Sequence, residues 1–265
     1  MAFFKSVSKK ERLYSKSQQI LAEEISKRLR LKGDENVLDI GSGNGKITYL
    51  IALKTPTGSV LGIDIDKEAV ESAKKLFYSE KNLEFRQMDV KNIQTKLKFD
   101  AVYSNAVFHW IDDHFTAVKN ISEVMKENGR LYITMGAKGN AKEIFETMQE
   151  VIQTGYKEQF ADFVSPYNYA SAVEFEEILK RNALFPKRVG YMEKKINFGS
   201  KEMFKGWIST AFRSFVEKSG KNREKFLEDF VELFLKKYPQ KDGSDISVNM
   251  KRLEIEAFKN SKKQF

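Results

Sequence analysis

The chain has 265 residues, 41% of them hydrophobic and only four of them proline, which supplies a sizeable buried core and excludes an extended disordered chain. It has no cysteine and two histidines, His109 and His114, so disulfides, a thiolate nucleophile and cysteine-based zinc or iron–sulfur sites are excluded, and a histidine-rich metal site lacks ligands. The net charge of +9 is spread evenly: residues 1–140 hold 23 basic and 18 acidic residues, leaving 23 and 19 for the remainder, and the longest basic clusters are pairs such as Lys9-Lys10. That dispersal argues for a solvated surface rather than a nucleic-acid patch. No apolar run is long enough for a membrane span or a secretory signal, so the expectation is a soluble, cytoplasmic protein.

From about residue 17 the apolar period alternates between helical and strand-like. Ser17 to Leu31 places Ile20, Leu21, Ile25 and Leu29 on one helical face and stops at Gly33. Asn36 to Ile40 is a short apolar run that predicts a buried first strand, followed by a glycine turn and a helix over 46–54. A second strand over 59–63, a helix over 67–77 and strands over 83–88, 99–104 and 129–135 follow, the last two separated by a helix over 114–126. Successive β/α units of this kind predict an α/β fold with a doubly wound, mostly parallel sheet.

Beyond Met135 the rhythm changes. The pattern predicts helices over 141–153 and from the capping box Ser171-Ala-Val-Glu174 to about Asn182, then a strand over 187–198. Two amphipathic helices follow, one with an apolar face from Met203 to Val216 and one from Phe226 to Phe234, before a last strand near 246–258. The reading is a single domain over 1–265, with a seven-stranded Rossmann-like sheet, a cofactor-binding core over 33–135 and a helical cap over 199–240 inserted between the last two strands.

Chemistry concentrates at the predicted strand ends. Asp39-Ile-Gly41-Ser42-Gly43-Asn-Gly45 joins the first strand to a helix, where glycines permit positive φ and a close ligand while the helix start offers free amides. The glycines run G-x-G-x-G rather than in the dinucleotide spacing, and Asp39 before them suits a cationic group such as an amino group. Asp64, nineteen residues after Gly45, ends the second strand and suits a pair of ribose hydroxyls. Asp89 ends the third strand, where it could accept from an adenine amino group, and Tyr103-Ser-Asn-Ala106 ends the fourth.

With these residues in order, the sequence resembles the class I S-adenosylmethionine-dependent methyltransferases over about residues 36–135. The resemblance implies that Asp39, Gly41, Ser42, Gly43 and Gly45 surround the methionine part of S-adenosyl-L-methionine, that Asp64 and Ile65 take the ribose, that Asp89 and Val90 take the adenine, and that Asn105 stands at the mouth toward the acceptor. Ser104-Asn-Ala-Val-Phe-His-Trp110, Trp207 to Arg213 and Lys237 to Gly243 are similar to trans-aconitate methyltransferases. Val164 to Tyr167 and Arg223 to Phe230 are similar to juvenile hormone acid methyltransferases. Both families methylate a carboxylate, so the resemblance implies a small-molecule carboxylic acid as partner and no metal. The same fold serves other acceptors: an acyl-carrier-bound acid, an amine, a hydroxyl, tRNA, or none in a non-catalytic binder.

A carboxylate acceptor needs a cation or donors to hold it and a dry pocket around it. Arg213 is the candidate clamp, because guanidinium matches a carboxylate with two parallel donors; its position about 100° from Phe212 on a helix would equally leave it exposed. His109 is a candidate donor or base, or a packing partner for Trp110. Trp110 and Trp207 are candidates to line the acceptor pocket or else to pack in the core, and Tyr14 and Tyr238 are further candidates for closing it.

Overall fold

A computed structural model describes residues 16–240 and 246–260. Tyr14 therefore lies outside the described residues. The chain forms two compact units, one built from the described residues through Met135 with Ala172–Gly190 and Leu253 onward, the other from Gly136–Ser171 and Tyr191–Arg252. The helices expected over 199–240 belong to the second unit, which also takes in residues 136–171.

In the first unit, α1 (Lys16–Leu29) precedes β1 (Asn36–Ile40), α2 (Lys46–Lys54), β2 (Ser59–Asp64), α3 (Lys67–Leu76), β3 (Leu83–Gln87), β4 (Phe99–Asn105), α4 (His114–Val124) and β5 (Met125–Gly136). After α5 (Lys142–Gly155) and α6 (Ala172–Arg181), β6 (Leu184–Phe198) and β7 (Ile246–Lys259) enclose α7 (Lys201–Ala211), α8 (Arg213–Lys218) and α9 (Arg223–Lys237). The strands form one mostly parallel seven-stranded sheet in the order β3-β2-β1-β4-β5-β7-β6. Leu38 of β1 lies opposite Leu61 of β2 and Val102 of β4, all in parallel register. The first crossovers build outward on one side of β1, and the chain then returns to β4 on the other side. That reversal opens the crevice at the carboxyl ends of β1 and β4 where ligands bind in such sheets.

The near-continuous apolar run of β1 follows from its central place, with Val37 and Leu38 at 0% exposure because both faces are covered. Ile25, Leu29, Val37, Ile51, Tyr103 and Tyr132 form one core cluster, and Tyr49, Val70, Phe77 and Phe85 form another. The Asp66 side chain caps α3 by accepting from the Glu68 and Ala69 amides at 2.8 and 3.2 Å, which satisfies two of its first-turn donors.

Two elements depart from the pattern. The apolar face from Met203 to Val216 is broken: α7 ends at Ala211 and α8 begins at Arg213, with Phe212 at φ −123° and ψ 33° between them. Apolar spacing continues across such a break because Phe212, Phe215 and Val216 all remain buried, so periodicity alone reads through it. β5 begins at Met125 rather than Gly129, since Phe99 pairs with Met125 while Ala101 pairs with Arg130. The extra residues loop out around Asn128, which takes φ 61°, a left-handed value Asn tolerates.

A charged cluster ties α1 to the carboxyl half of β7. Arg28 reaches Glu256 at 2.5 Å and Glu254 at 2.9 Å, while Lys187 meets Glu256 at 2.6 Å and Arg188 meets Glu254 at 3.1 Å. Burial by itself would raise the Glu256 carboxyl, but hydrogen bonds from Lys187 and Arg28 hold it below its ordinary value. A carboxyl held low stabilises the fold above its unfolded pKa and loses that contribution as pH falls through its folded one. Arg28→Met is expected to cost about 1–3 kcal/mol in urea unfolding at neutral pH, less than an unmatched buried charge would because two cations remain. Part of that cost is expected to vanish below about pH 4, where the unfolded carboxyls protonate.

Candidate active site

The turn after β1 is built by its glycines. Gly41, Gly43 and Gly45 take φ of 75°, 52° and 77°. The loop is drawn onto the end of β2, with the Gly41 and Ser42 amides donating to the Ile63 carbonyl at 2.8 and 3.0 Å and the Gly43 amide donating to Asp64 Oδ2 at 2.8 Å. A Cβ on Gly41 would stand 2.0 Å from Val107 Cγ2, and one on Gly45 would stand 2.5 Å from the Phe85 ring. Gly43 differs: a Cβ there meets nothing within 4 Å, so its backbone borders open space.

Asp39 sits beneath this loop, 3% exposed, its Oδ2 accepting from Thr48 Oγ1 at 2.7 Å. Burial pushes its carboxyl up to about 7; the Thr48 hydrogen bond opposes this and the nearby Asp64 charge adds to it. A cation bound against it would favour the ionised form. Ser42 Oγ is buried without a hydrogen-bond partner among the described residues. Buried hydroxyls are ordinarily paired, so this one is available to a ligand. Asp64 accepts from Gly43 and, through Oδ1, from the Asp66 amide at 3.0 Å. Asp89 caps a 3₁₀ turn over Val90–Asn92 and accepts from the Lys91 amide at 2.8 Å. Ile65 is 68% exposed beside Asp64, and Val90 is buried. The donor set suits a ligand that carries a cation and several hydroxyls, and the open space over Gly43 gives it room.

The end of β4 adds a strained corner. Asn105 Oδ1 accepts from Thr134 Oγ1 at 2.5 Å, and Ala106, at φ 59°, donates its amide to the Thr134 carbonyl at 2.7 Å. A left-handed alanine is uncommon, and here the pairing with β5 holds it. Val107, which follows, packs on Gly41. The 3₁₀ turn Phe108–Trp110 is anchored by Phe108, buried at 0% against Phe175 and against His114, whose Nε2 lies 2.8 Å from the Phe108 carbonyl. Burial lowers the His114 pKa, so its ring stays neutral and serves this anchor. His109 packs against Trp110 with ring centroids 5.5 Å apart and the rings tilted by 38°, and Trp110 is 44% exposed.

The remaining expected site residues lie in the second unit. Trp207 packs against Phe198 and Phe212 at 4.9 and 5.7 Å. Tyr238 packs against Phe234 with the rings tilted by 46° and donates its hydroxyl to Glu146 Oε2 at 3.1 Å. Of the two expectations for Arg213, clamp or exposed helix residue, the structure has the exposed position: its side chain is 73% exposed and its Nε donates to Glu217 Oε1 at 2.6 Å, because α8 turns its apolar face of Phe215 and Val216 inward and Arg213 outward. Thr48, Thr134, Val107, Phe85 and His114 escaped the sequence reading. Gly62, inside a strand, was the one signal: a Cβ there would meet Phe85 at 2.7 Å and Ser42 at 2.9 Å.

A central parallel sheet with a glycine loop after its first strand and acids at the next two strand ends defines an α/β nucleoside-binding enzyme of the methyltransferase type. The family model described as "Methyltransferase domain" matches residues 31–183, more than half of the chain. The chain belongs to this family and is an S-adenosylmethionine-dependent methyltransferase. Among its relatives, a protein of Invertebrate iridescent virus 6 assigned by inference as a methyltransferase is 28% identical over 66% of each chain. Trans-aconitate 2-methyltransferase of an Enterobacter species is 22% identical over 88% of this chain and 89% of that one. Malonyl-[acyl-carrier protein] O-methyltransferase of Acetivibrio thermocellus is 32% identical over 44% of this chain and 42% of its own. In fold, the chain is similar to the YcgJ protein of Bacillus subtilis (TM-score 0.62, 17% identity, 93% of this chain and 99% of that one). It is also similar to geranyl diphosphate C-methyltransferase of Streptomyces coelicolor (TM-score 0.54, 15% identity, 91% and 77%). Among the described residues no helix is long and apolar enough to cross a membrane.

The glycines separate packing from binding. Gly41→Ala is expected to lower the melting temperature well beyond Gly43→Ala, because only the former forces Val107 aside. Gly43→Ala is expected to cost about 1 kcal/mol of backbone strain, with a tenfold or greater loss of S-adenosylhomocysteine affinity by calorimetry.

Proposed function

We propose that this methyltransferase transfers its methyl group to the carboxylate of a small organic acid. What supports this most is that trans-aconitate 2-methyltransferases from an Enterobacter species and Agrobacterium fabrum align with 88% and 84% of the chain, beyond the cofactor-binding portion alone. In this reading Asp39 holds the amino group of the methionine part within the loop of Gly41, Ser42, Gly43 and Gly45. Asp64 accepts from the ribose hydroxyls, Ile65, Asp89 and Val90 border the adenine, and Asn105 faces the acceptor side.

S-adenosylmethionine, when bound, supplies a methyl group already activated on a sulfonium. The protein's task is orientation and exclusion of water. A carboxylate is ionised near neutrality and needs no general base, so His109, beside the exposed Trp110, serves as a donor to an acceptor oxygen rather than as a proton acceptor. Asn105, fixed by Thr134, and the corner at Ala106 hold that side of the crevice still.

Asp39 gives this reading a pH signature. Its carboxyl is raised from an ordinary 3.8 to about 7, so the folded chain favours the protonated form and forfeits stability as pH rises between those values. Ionising it in the fold costs on the order of 4 kcal/mol, which a bound cation offsets. S-adenosylhomocysteine affinity is expected to weaken up to tenfold as pH falls from 8 to 6. Asp39→Asn is expected to flatten that profile, lose at least tenfold in affinity and raise the melting temperature at pH 8; calorimetry and thermal melts check all three.

The acceptor class is tested with a labelled methyl donor and a panel of mono-, di- and tricarboxylates, amines and phenols. A base-labile methyl ester on an acid is the expected product. Label that appears only as a base-stable methyl on an amine or phenol refutes the carboxylate reading.

A further inference from the structure

The second unit contains a cavity of about 460 Å³ whose walls come from the start of α5, the 160–169 segment and α8. Its size falls within the range of roughly 300–1,000 Å³ of small-molecule sites. Phe145 lines it, with Tyr167, Tyr169 and Phe215 around the Phe145 ring at distances of 5.5, 5.9 and 6.1 Å, and Phe163 lies 4.7 Å from Phe215.

The two tyrosine hydroxyls and the asparagine on these walls are already engaged within the unit. The Tyr167 hydroxyl donates to the Ala211 carbonyl at 2.5 Å, the Tyr169 hydroxyl is hydrogen-bonded to Asn140, and Asn140 Oδ1 accepts from the Lys251 amide at 2.9 Å. Among the described residues lining the cavity one is cationic, Lys142, and it lies 3.5 Å from Glu146, which also accepts from Tyr238. An occupant therefore meets chiefly ring faces and edges, and a polycarboxylate would find one cation, Lys142, with Gln149 and Ser165 at the exposed rim, too few donors to replace the hydration of two or three carboxylates.

We infer that this cavity binds an aromatic or short aliphatic monocarboxylic acid rather than a di- or tricarboxylate. The inference rests on the carboxylate reading only for the choice of an acid as the ligand.

Calorimetry with octanoate, 4-phenylbutyrate and trans-aconitate, each with S-adenosylhomocysteine present, tests it. The two apolar acids are expected to bind at least tenfold more tightly than trans-aconitate, with a negative heat-capacity change. Gln149→Trp, on the exposed face of α5, and Ser165→Trp, in an exposed segment, place a ring at the cavity without removing any core side chain. Either is expected to weaken the apolar acids tenfold or more while leaving S-adenosylhomocysteine affinity and the thermal melt unchanged. Trans-aconitate binding as tightly as the apolar acids, no binding of any of the three, or apolar-acid binding untouched in both variants would overturn the inference. Apolar acids that bind in this pattern but never gain a methyl ester would refute carboxyl methylation while leaving the cavity as an apolar-acid site.

Discussion

The three backbone-amide hydrogen bonds that pull the glycine loop onto the end of β2 organise the first unit. With Gly41 and Ser42 donating to the Ile63 carbonyl and Gly43 donating to Asp64, the chain leaves β1, turns through positive φ at alternate residues and enters α2 beside the strand end it must address. The same contact makes Asp64 both a fastener of the loop and a group facing the crevice. Val107 fills the space left by the missing Cβ of Gly41, and Phe85 fills the space left at Gly45 and Gly62. Loop, third strand and the turn after β4 are thereby locked to one another by contacts that admit no added methyl group at those glycines.

That arrangement places a carboxyl where it is poorly solvated. Asp39, with one hydrogen bond from Thr48 and Asp64 nearby, is held close to its protonation midpoint near neutrality. The buried Ser42 hydroxyl lacks a partner, and the left-handed Ala106 spends backbone strain at the neighbouring strand end. Local costs of this kind cluster where a ligand can offset them. By contrast the acids of β7 are satisfied: Glu254 and Glu256 meet Arg28, Arg188 and Lys187, and their task is to hold α1 and β7 together.

The second unit is organised by packing of rings. Phe204, Phe226, Phe230 and Phe234 are buried among α7 and α9, and Trp207 covers them from the side. The periodicity of these residues announced amphipathic helices, but it also ran through the break at Phe212, since a buried side chain on either side of a kink keeps the same spacing. Trp207 and Tyr238, candidates in sequence for the acceptor pocket or the core, are engaged with neighbouring aromatic residues and, for Tyr238, with Glu146. The cavity lined by Phe145 had no counterpart in the pattern, because its walls come from three stretches that no spacing rule connects.

Sequence alone settled what depends on neighbours along the chain. The strand–turn–helix rhythm, the buried character of Asn36 to Ile40, the positive-φ loop at Gly41, Gly43 and Gly45 and the acids at successive strand ends are local demands of backbone geometry and burial; they sufficed for a doubly wound α/β fold, and the resemblance their order carries supplied the methyltransferase reading. Tertiary structure alone decided what depends on distant neighbours: that Val107 and Phe85 are the reasons for three glycines, that Asp39 is held near neutrality, that His114 anchors a turn while His109 lies at its exposed edge, and that Arg213 faces Glu217 and solvent. Protonation and orientation follow the local field and the packing around a side chain, and both are set by residues far away in the chain.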